Sequence, residues 1–249
     1  MASVPEIDWF DWHRRYENPM SRASRRLRAV QRVLRTSIDQ VPPGPFTAIS
    51  LCAGQGHDIL GVLADHPRRA DASVTFVELD PRNVERALAT ARALEIPNAR
   101  GIVGDAGTSD LFTGLLPASL VILAGFVVHI SEGDFGRLIG ALPQFCMPGS
   151  IVVWNRGRRG LTRRFERRAR QRFTEAGFEP AQLGVEPDRE FGVHAERFTG
   201  ITQPLQTGVR LFTFSASPRR PSHWIRLKRM TVRSISPARS LRSRRARPL

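Results

Sequence analysis

Residues 48–63 read AISLCAGQGHDILGVL: an apolar run, two glycines one residue apart at Gly54 and Gly56, and then Ile59, Leu60 and Leu63 at helical spacing. Such a stretch is a strand, a tight turn and a helix start, the junction at which a ligand can approach the backbone and meet N–H groups. The sequence on either side repeats the pattern. "FTAISLC" is the first strand, and "SVTFVELD", "ARGIVGDA", "SLVILAG" and "SIVVWN" read as four more. Between the second and third, Val84, Ala87, Leu88, Ala91 and Leu94 fall on one helical face behind Pro81, which suits a first turn. Ser131 is placed to cap a helix that carries Phe135, Leu138, Ile139 and Leu142 toward the sheet. Strands alternating with helices predict an α/β fold with a mostly parallel sheet and helices on both faces. "SLVILAG" is apolar throughout, as a strand covered on both faces is.

Three regions follow from the punctuation. Residues 1–42 contain "SRASRRLRAVQRVLRTSIDQ", with Leu27, Val30, Val33, Leu34 and Ile38 on one face and arginines on the other, closed by "VPPGP". Residues 43–217 hold the alternating unit; Thr162 opens a further helix that Gly177 closes, and "FEPAQLGV" and "VRLFTF" read as a last strand pair. Residues 218–249 have too little apolar content to fold alone. Of the net charge of +15, this tail supplies eleven positive charges and no acid, which leaves the body at +4. A tail of that kind attracts polyanions, so nucleic acid enters as a partner to be weighed; its dominance of arginine over lysine is equally what a GC-rich coding extension would give.

Composition narrows the setting. The longest apolar run, Leu120 to Val128, is about half of the roughly 20 residues that a membrane-spanning helix needs. The first residues carry acids and no apolar signal core, and Cys52 and Cys146 have no metal-site or disulfide spacing. The expectation is a cytoplasmic protein without a membrane span or a metal.

The glycine turn has company at the ends of the next strands. Glu78 and Asp80 lie 22 and 24 residues beyond Gly56, the separation at which an acid at a strand end binds ribose hydroxyls. The position three after Gly56 is Ile59, so the G-x-G-x-x-G pattern that suits a pyrophosphate is missing. Asp105 ends the third strand where an adenine amino group could be recognised. A tight turn without a ligand, and helix-capping roles for the two acids, are the plainer alternatives.

On these residues the chain resembles the class I S-adenosylmethionine-dependent methyltransferases from about Phe46 to Phe214: "SLCAGQGHDIL" is similar to their first motif, "VELDPRNVERA" to the second, "GDA" to the third and "LVILAG" to the fourth strand. The resemblance implies a Rossmann-like, seven-stranded sheet under an N-terminal helical lid, with S-adenosylmethionine as cofactor. It also implies roles for single residues. Ala53, Gly54 and Gly56 would wrap the methionine half, Glu78 would hold the ribose, Asp105 with Ala106 the adenine, and Ala124 and Gly125 the methyl-donor end. The family has an acid at Ser50 and a glycine at Cys52, and this chain departs at both. His13 and Tyr16 are lid candidates, with packing as the alternative. His129, after the fourth strand, is the weak candidate for a general base, against a packing role at a helix start; His194 has the same standing. Methyl transfer needs mainly alignment, so a dedicated base is optional. No N/D-P-P-Y/F follows the fourth strand and neither cysteine follows a proline, which argues against adenine or cytosine as acceptor. The acceptor expected is a small molecule with an O, N or C nucleophile. An RNA-modifying enzyme that uses the tail, or a non-catalytic nucleotide-binding protein on the same fold, stand as alternatives.

Overall fold

The structure, a computed structural model, describes residues 7–157, 163–184, 190–214 and 234–235. In chain order it runs α1 (Trp9–Trp12), α2 (Arg22–Asp39), β1 (Phe46–Leu51), α3 (His57–Leu63), β2 (Ala72–Glu78), α4 (Pro81–Ala93), β3 (Asn98–Val103), β4 (Ala118–Leu123), α5 (Glu132–Ala141), β5 (Cys146–Asn155), α6 (Arg163–Glu175), β6 (Phe178–Pro180), β7 (Val193–Phe198) and β8 (Ser234–Ile235). The sheet order is β6-β7-β5-β4-β1-β2-β3-β8, with β1 to β5 parallel and β6, β7 and β8 antiparallel to their neighbours. The chain reverses its direction across the sheet between β1 and β4. In a doubly wound sheet a ligand crevice opens at that point, above the carboxyl ends of the strands.

Alternation along the strands sorts the core into two layers. Ile49, Leu51, Val121, Leu123, Val152 and Trp154 pack with Phe135, Phe165 and Phe173 of α5 and α6. Ala48, Leu120, Ile122, Ile151 and Val153 face the other way, onto Val30 and Leu34 of α2, Ile59 of α3 and Val84 of α4. β4 therefore feeds both layers, which is why its sequence has no polar phase; each such aliphatic side chain stabilises the fold by roughly 1.5–3 kcal/mol. Caps fix the helix starts. The Ser131 hydroxyl accepts the Asp134 N–H at 3.0 Å, and the Asp80 carboxylate accepts the Arg82 N–H ahead of Pro81. Gly177, with φ at 82°, follows α6, while Thr162 lies outside the described residues. No helix among the described residues is long and apolar enough to cross a membrane.

Two details differ from the reading of the sequence. The strand beside β5 is β7, with Trp154 opposite His194 and Val152 opposite Glu196, and not "VRLFTF". Residues 209–214 instead run along the carboxyl edge of the sheet, where Thr108 bridges Arg210, Ile130 bridges Phe214, and Leu211 and Phe212 are buried. β7 hides in the sequence because two of its inward positions, 194 and 196, hold histidine and glutamate. The second difference lies in the tail: Ser234–Ile235 pair with Ile102 and Gly101 of β3 and add an eighth strand to the expected seven. The rest of 218–249 lies outside the described residues.

Candidate active site

Beyond β1 the backbone turns left-handed at Cys52, Gly54 and Gly56, with φ of 51°, 54° and 70°. Glycine takes that conformation freely, whereas at Cys52 it costs about 1–2 kcal/mol. The turn is held from β2. Ala53 N–H donates to the Val77 carbonyl at 3.1 Å, Gly54 N–H to Glu78 Oε2 at 2.8 Å, and Asp80 N–H to Glu78 Oε1 at 3.0 Å. One buried carboxylate thus joins the turn to the end of β2. Burial pushes the Glu78 carboxyl up, and the N–H donors work against that shift.

Asp105 stands at the end of β3. Its Oδ1 accepts the Gly107 N–H at 2.9 Å and its Oδ2 accepts from Arg210 Nη1 at 2.7 Å. Burial pushes the Cys52 thiol well up, and the charges of Glu78 and Asp105 push it the same way. That thiol stays protonated.

The N-terminal residues lie across this edge. The Asp8 carboxylate caps α1 and pairs with Arg82 at 2.8 Å, and Arg82 grips Asp80 at 2.6 Å. His13 Nδ1–H donates to the Trp9 carbonyl at 2.6 Å, so Nε2 is the accepting nitrogen and faces the Gln55 N–H at 3.4 Å. A Cβ on Gly54 would stand 2.3 Å from that Nε2, so the imidazole rests directly on the glycine. Tyr16 meets the ring of His57 at 4.8 Å, and its hydroxyl accepts from Arg26 Nη2 at 2.5 Å. Arg26 in turn presses on Gly125, where a Cβ would lie 2.9 Å from Nη1. The Gly125 N–H donates to Asn155 Oδ1 at 2.8 Å, tying β4 to β5. His129 lies between Trp9, 5.3 Å away and edge-on, and Phe214, stacked at 5.9 Å. Burial first, and the Arg26 charge second, lower its pKa, which favours the neutral imidazole.

No protein-family model and no curated sequence matches this chain. Solved structures do. A Bordetella parapertussis chain described as a "possible exported protein" superposes with a TM-score of 0.57 at 14% identity, over 79% of this chain and 81% of its own. Magnesium protoporphyrin IX methyltransferase from Synechocystis PCC 6803, with bound SAM, gives 0.52 at 13% identity over 79% and 100%. An O-methyltransferase family protein from Burkholderia thailandensis gives 0.50 at 15% over 77% and 69%. The fold is that of the class I S-adenosylmethionine-dependent methyltransferases.

Within this methyltransferase fold the residues expected from the sequence gather along one edge. Ala53, Gly54 and Glu78 are joined by the hydrogen bonds given above. Asp105 and the buried Ala106 follow β3, Ala124 and Gly125 follow β4, and His129 lies in the short helical turn after them. His13 and Tyr16 come in from the N-terminal side. Gly56 differs from the rest: a Cβ there would meet Phe76 at 2.8 Å and Leu60 at 3.0 Å, so its bareness lets α3 pack on β2. His194 is stacked on Trp154 at 4.3 Å in β7, where burial pushes its pKa down to about 4.

The donor set fits the cofactor of the methyltransferase fold. A carboxylate has about four acceptor sites, and Glu78 takes N–H groups from Gly54, Asp80 and Leu79, so room is left for a ribose hydroxyl. Asp105 fits less freely, because an adenine amino group would share it with Arg210. Among the described residues no group of three or more His, Cys, Asp or Glu is placed to hold a metal ion. Sequence reasoning missed Trp9, Arg26, Arg82, Asn155 and Arg210. Arg26 carried one signal: it stands four before Val30, on the buried stripe of α2, while Arg22, Arg25 and Arg28 do not.

Proposed function

We propose that this chain is an S-adenosylmethionine-dependent methyltransferase that acts on an O, N or C nucleophile of a small-molecule acceptor. The observation that carries the reading is the buried Glu78 carboxylate, hydrogen-bonded to the Gly54 N–H of a left-handed turn at the carboxyl end of β1 and β2. S-adenosylmethionine, when bound, supplies a sulfonium-bound methyl group for in-line displacement. Glu78 orients the ribose, Asp105 and Ala106 receive the adenine, and Ala53, Gly54, Ala124 and Gly125 line the methionine side. His13 and Tyr16 act as the lid that excludes water, and His129 takes the proton from the attacking group. The thiols of Cys52 and Cys146 are both free, which suits the cytoplasm.

Calorimetric titration with S-adenosylmethionine and S-adenosylhomocysteine, with NAD and ATP as controls, tests this. Micromolar binding of both sulfur ligands is expected, weakened at least tenfold, about 1.4 kcal/mol, by E78Q and E78A. Glutamine keeps an acceptor for only one of the Gly54 and Asp80 N–H groups and sets a donor against the other, so urea unfolding of both variants, measured beside the titration, separates loss of the ligand contact from loss of the turn. Absence of binding by the wild-type chain refutes the proposal.

A further inference from the structure

Arg156 is the first residue beyond β5, next to the Asn155 that holds Gly125. Its backbone N–H donates to the Gly192 carbonyl at 3.3 Å, and its guanidinium lies over the ring of Phe165, with Cζ 4.1 Å from the centroid. Nε and Nη1 are buried and have no hydrogen-bond acceptor among the described residues. Glu132, the carboxylate that acts on it from α5, accepts from Arg168 Nη1 at 2.9 Å. Arginine cannot relieve such burial by losing its proton. The residue as a whole is half-buried, and the ring beneath it and the charge of Glu132 offset part of the cost of burial, but neither accepts the two buried N–H groups. The fold holds a planar donor fork at the carboxyl edge of the sheet, one strand from the proposed methyl-donor end. Two parallel N–H donors in one plane match carboxylate and phosphate oxygens.

We infer that Arg156 anchors a carboxylate or phosphate group of the methyl acceptor, which makes the acceptor an organic anion. The acceptor role rests on the methyltransferase reading; the anion site rests on Arg156 alone.

The test uses the full chain labelled with 15N-arginine, with the Arg156 Nε–H resonance assigned by its absence from R156K. Benzoate, phenyl phosphate and, as the neutral control, benzamide are titrated with and without S-adenosylhomocysteine. The expected result is a saturable shift with at least one of the two anions and none with benzamide. By calorimetry the same anion should bind at least tenfold more weakly to R156Q. Should R156Q fail to fold, R156K, which keeps the charge and loses the fork, serves for the same comparison. The inference is overturned if neither anion moves the resonance, if benzamide moves it equally, or if the substituted chain binds with wild-type affinity. Benzoate and phenyl phosphate tell the two anion types apart. Anion binding without S-adenosylhomocysteine binding keeps the site and removes the methyltransferase reading. S-adenosylhomocysteine binding without an anion response removes only this inference.

Discussion

Replacing Gly54 by alanine sets two effects against each other that a second substitution separates. The backbone at Gly54 is left-handed, so the new Cβ brings a conformational penalty of about 1–2 kcal/mol wherever its neighbours are. It also stands 2.3 Å from His13 Nε2, so the imidazole must leave, giving up its place over the Gln55 N–H and the packing of the N-terminal residues on the turn. Overpacking of this kind costs about 1–3 kcal/mol. G54A alone should therefore lose roughly 2–5 kcal/mol in urea unfolding, and G54A made on an H13A background only the conformational part of about 1–2 kcal/mol. The coupling between the two sites is then about 1–3 kcal/mol, well above the few tenths expected of independent sites. Equal losses on both backgrounds would refute the placement of His13 on the turn.

Other perturbations probe the neighbouring contacts. R210A removes the partner of Asp105 Oδ2; the pair is half exposed, so urea unfolding should change by at most about 1 kcal/mol, while calorimetry should find S-adenosylhomocysteine bound several-fold more tightly. Glu196, buried beside Trp154 Nε1–H at 3.3 Å, is pushed up to about 7 by burial from an ordinary value of 4.5. A raised carboxyl stabilises fully below its unfolded pKa, and that contribution disappears as pH rises through the folded one. E196Q should therefore flatten a decline in thermal midpoint between about pH 5 and 7, and an unchanged profile would remove Glu196 as its source. Shortening the chain after Ser217 should leave S-adenosylhomocysteine affinity within about threefold, because every proposed cofactor residue precedes that point; salt-sensitive RNA binding lost together with activity would instead favour a nucleic-acid acceptor.

The parallel half of the sheet was legible because hydrophobic burial writes itself into sequence at period two or as an unbroken apolar run, and β1, β2 and β4 obey one or the other. β7 was not, since it buries Glu196 under the Trp154 indole and stacks His194 on the same ring, a pairing decided by a residue some forty positions away. Strand ends located Glu78 and Asp105 by their distance from the turn. What covers them was illegible for a different reason. Arg26, Arg82 and Arg210 sit among many exposed arginines, and only tertiary contact distinguishes the three that face the edge. Cys52 shows the limit of motif matching: the left-handed backbone is kept although the glycine is gone.

The residues from Asp8 to Tyr16 touch the rest of the site at separate points, through Asp8 to Arg82, His13 to the glycine turn, Trp9 to His129 and Tyr16 to Arg26. None of them joins the sheet; α2 holds them as well, since Ser24 Oγ donates to the Arg15 and Tyr16 carbonyls and Arg26 lies over the Trp12 ring. The segment is thus pinned by side-chain contacts rather than by strand pairing, and it can open at a fraction of the global unfolding free energy with β1, β2 and β4 in place. In the proposed enzyme this nine-residue segment would time the exchange of small molecules, and a protease should nick the chain there before the sheet and its packed helices give way.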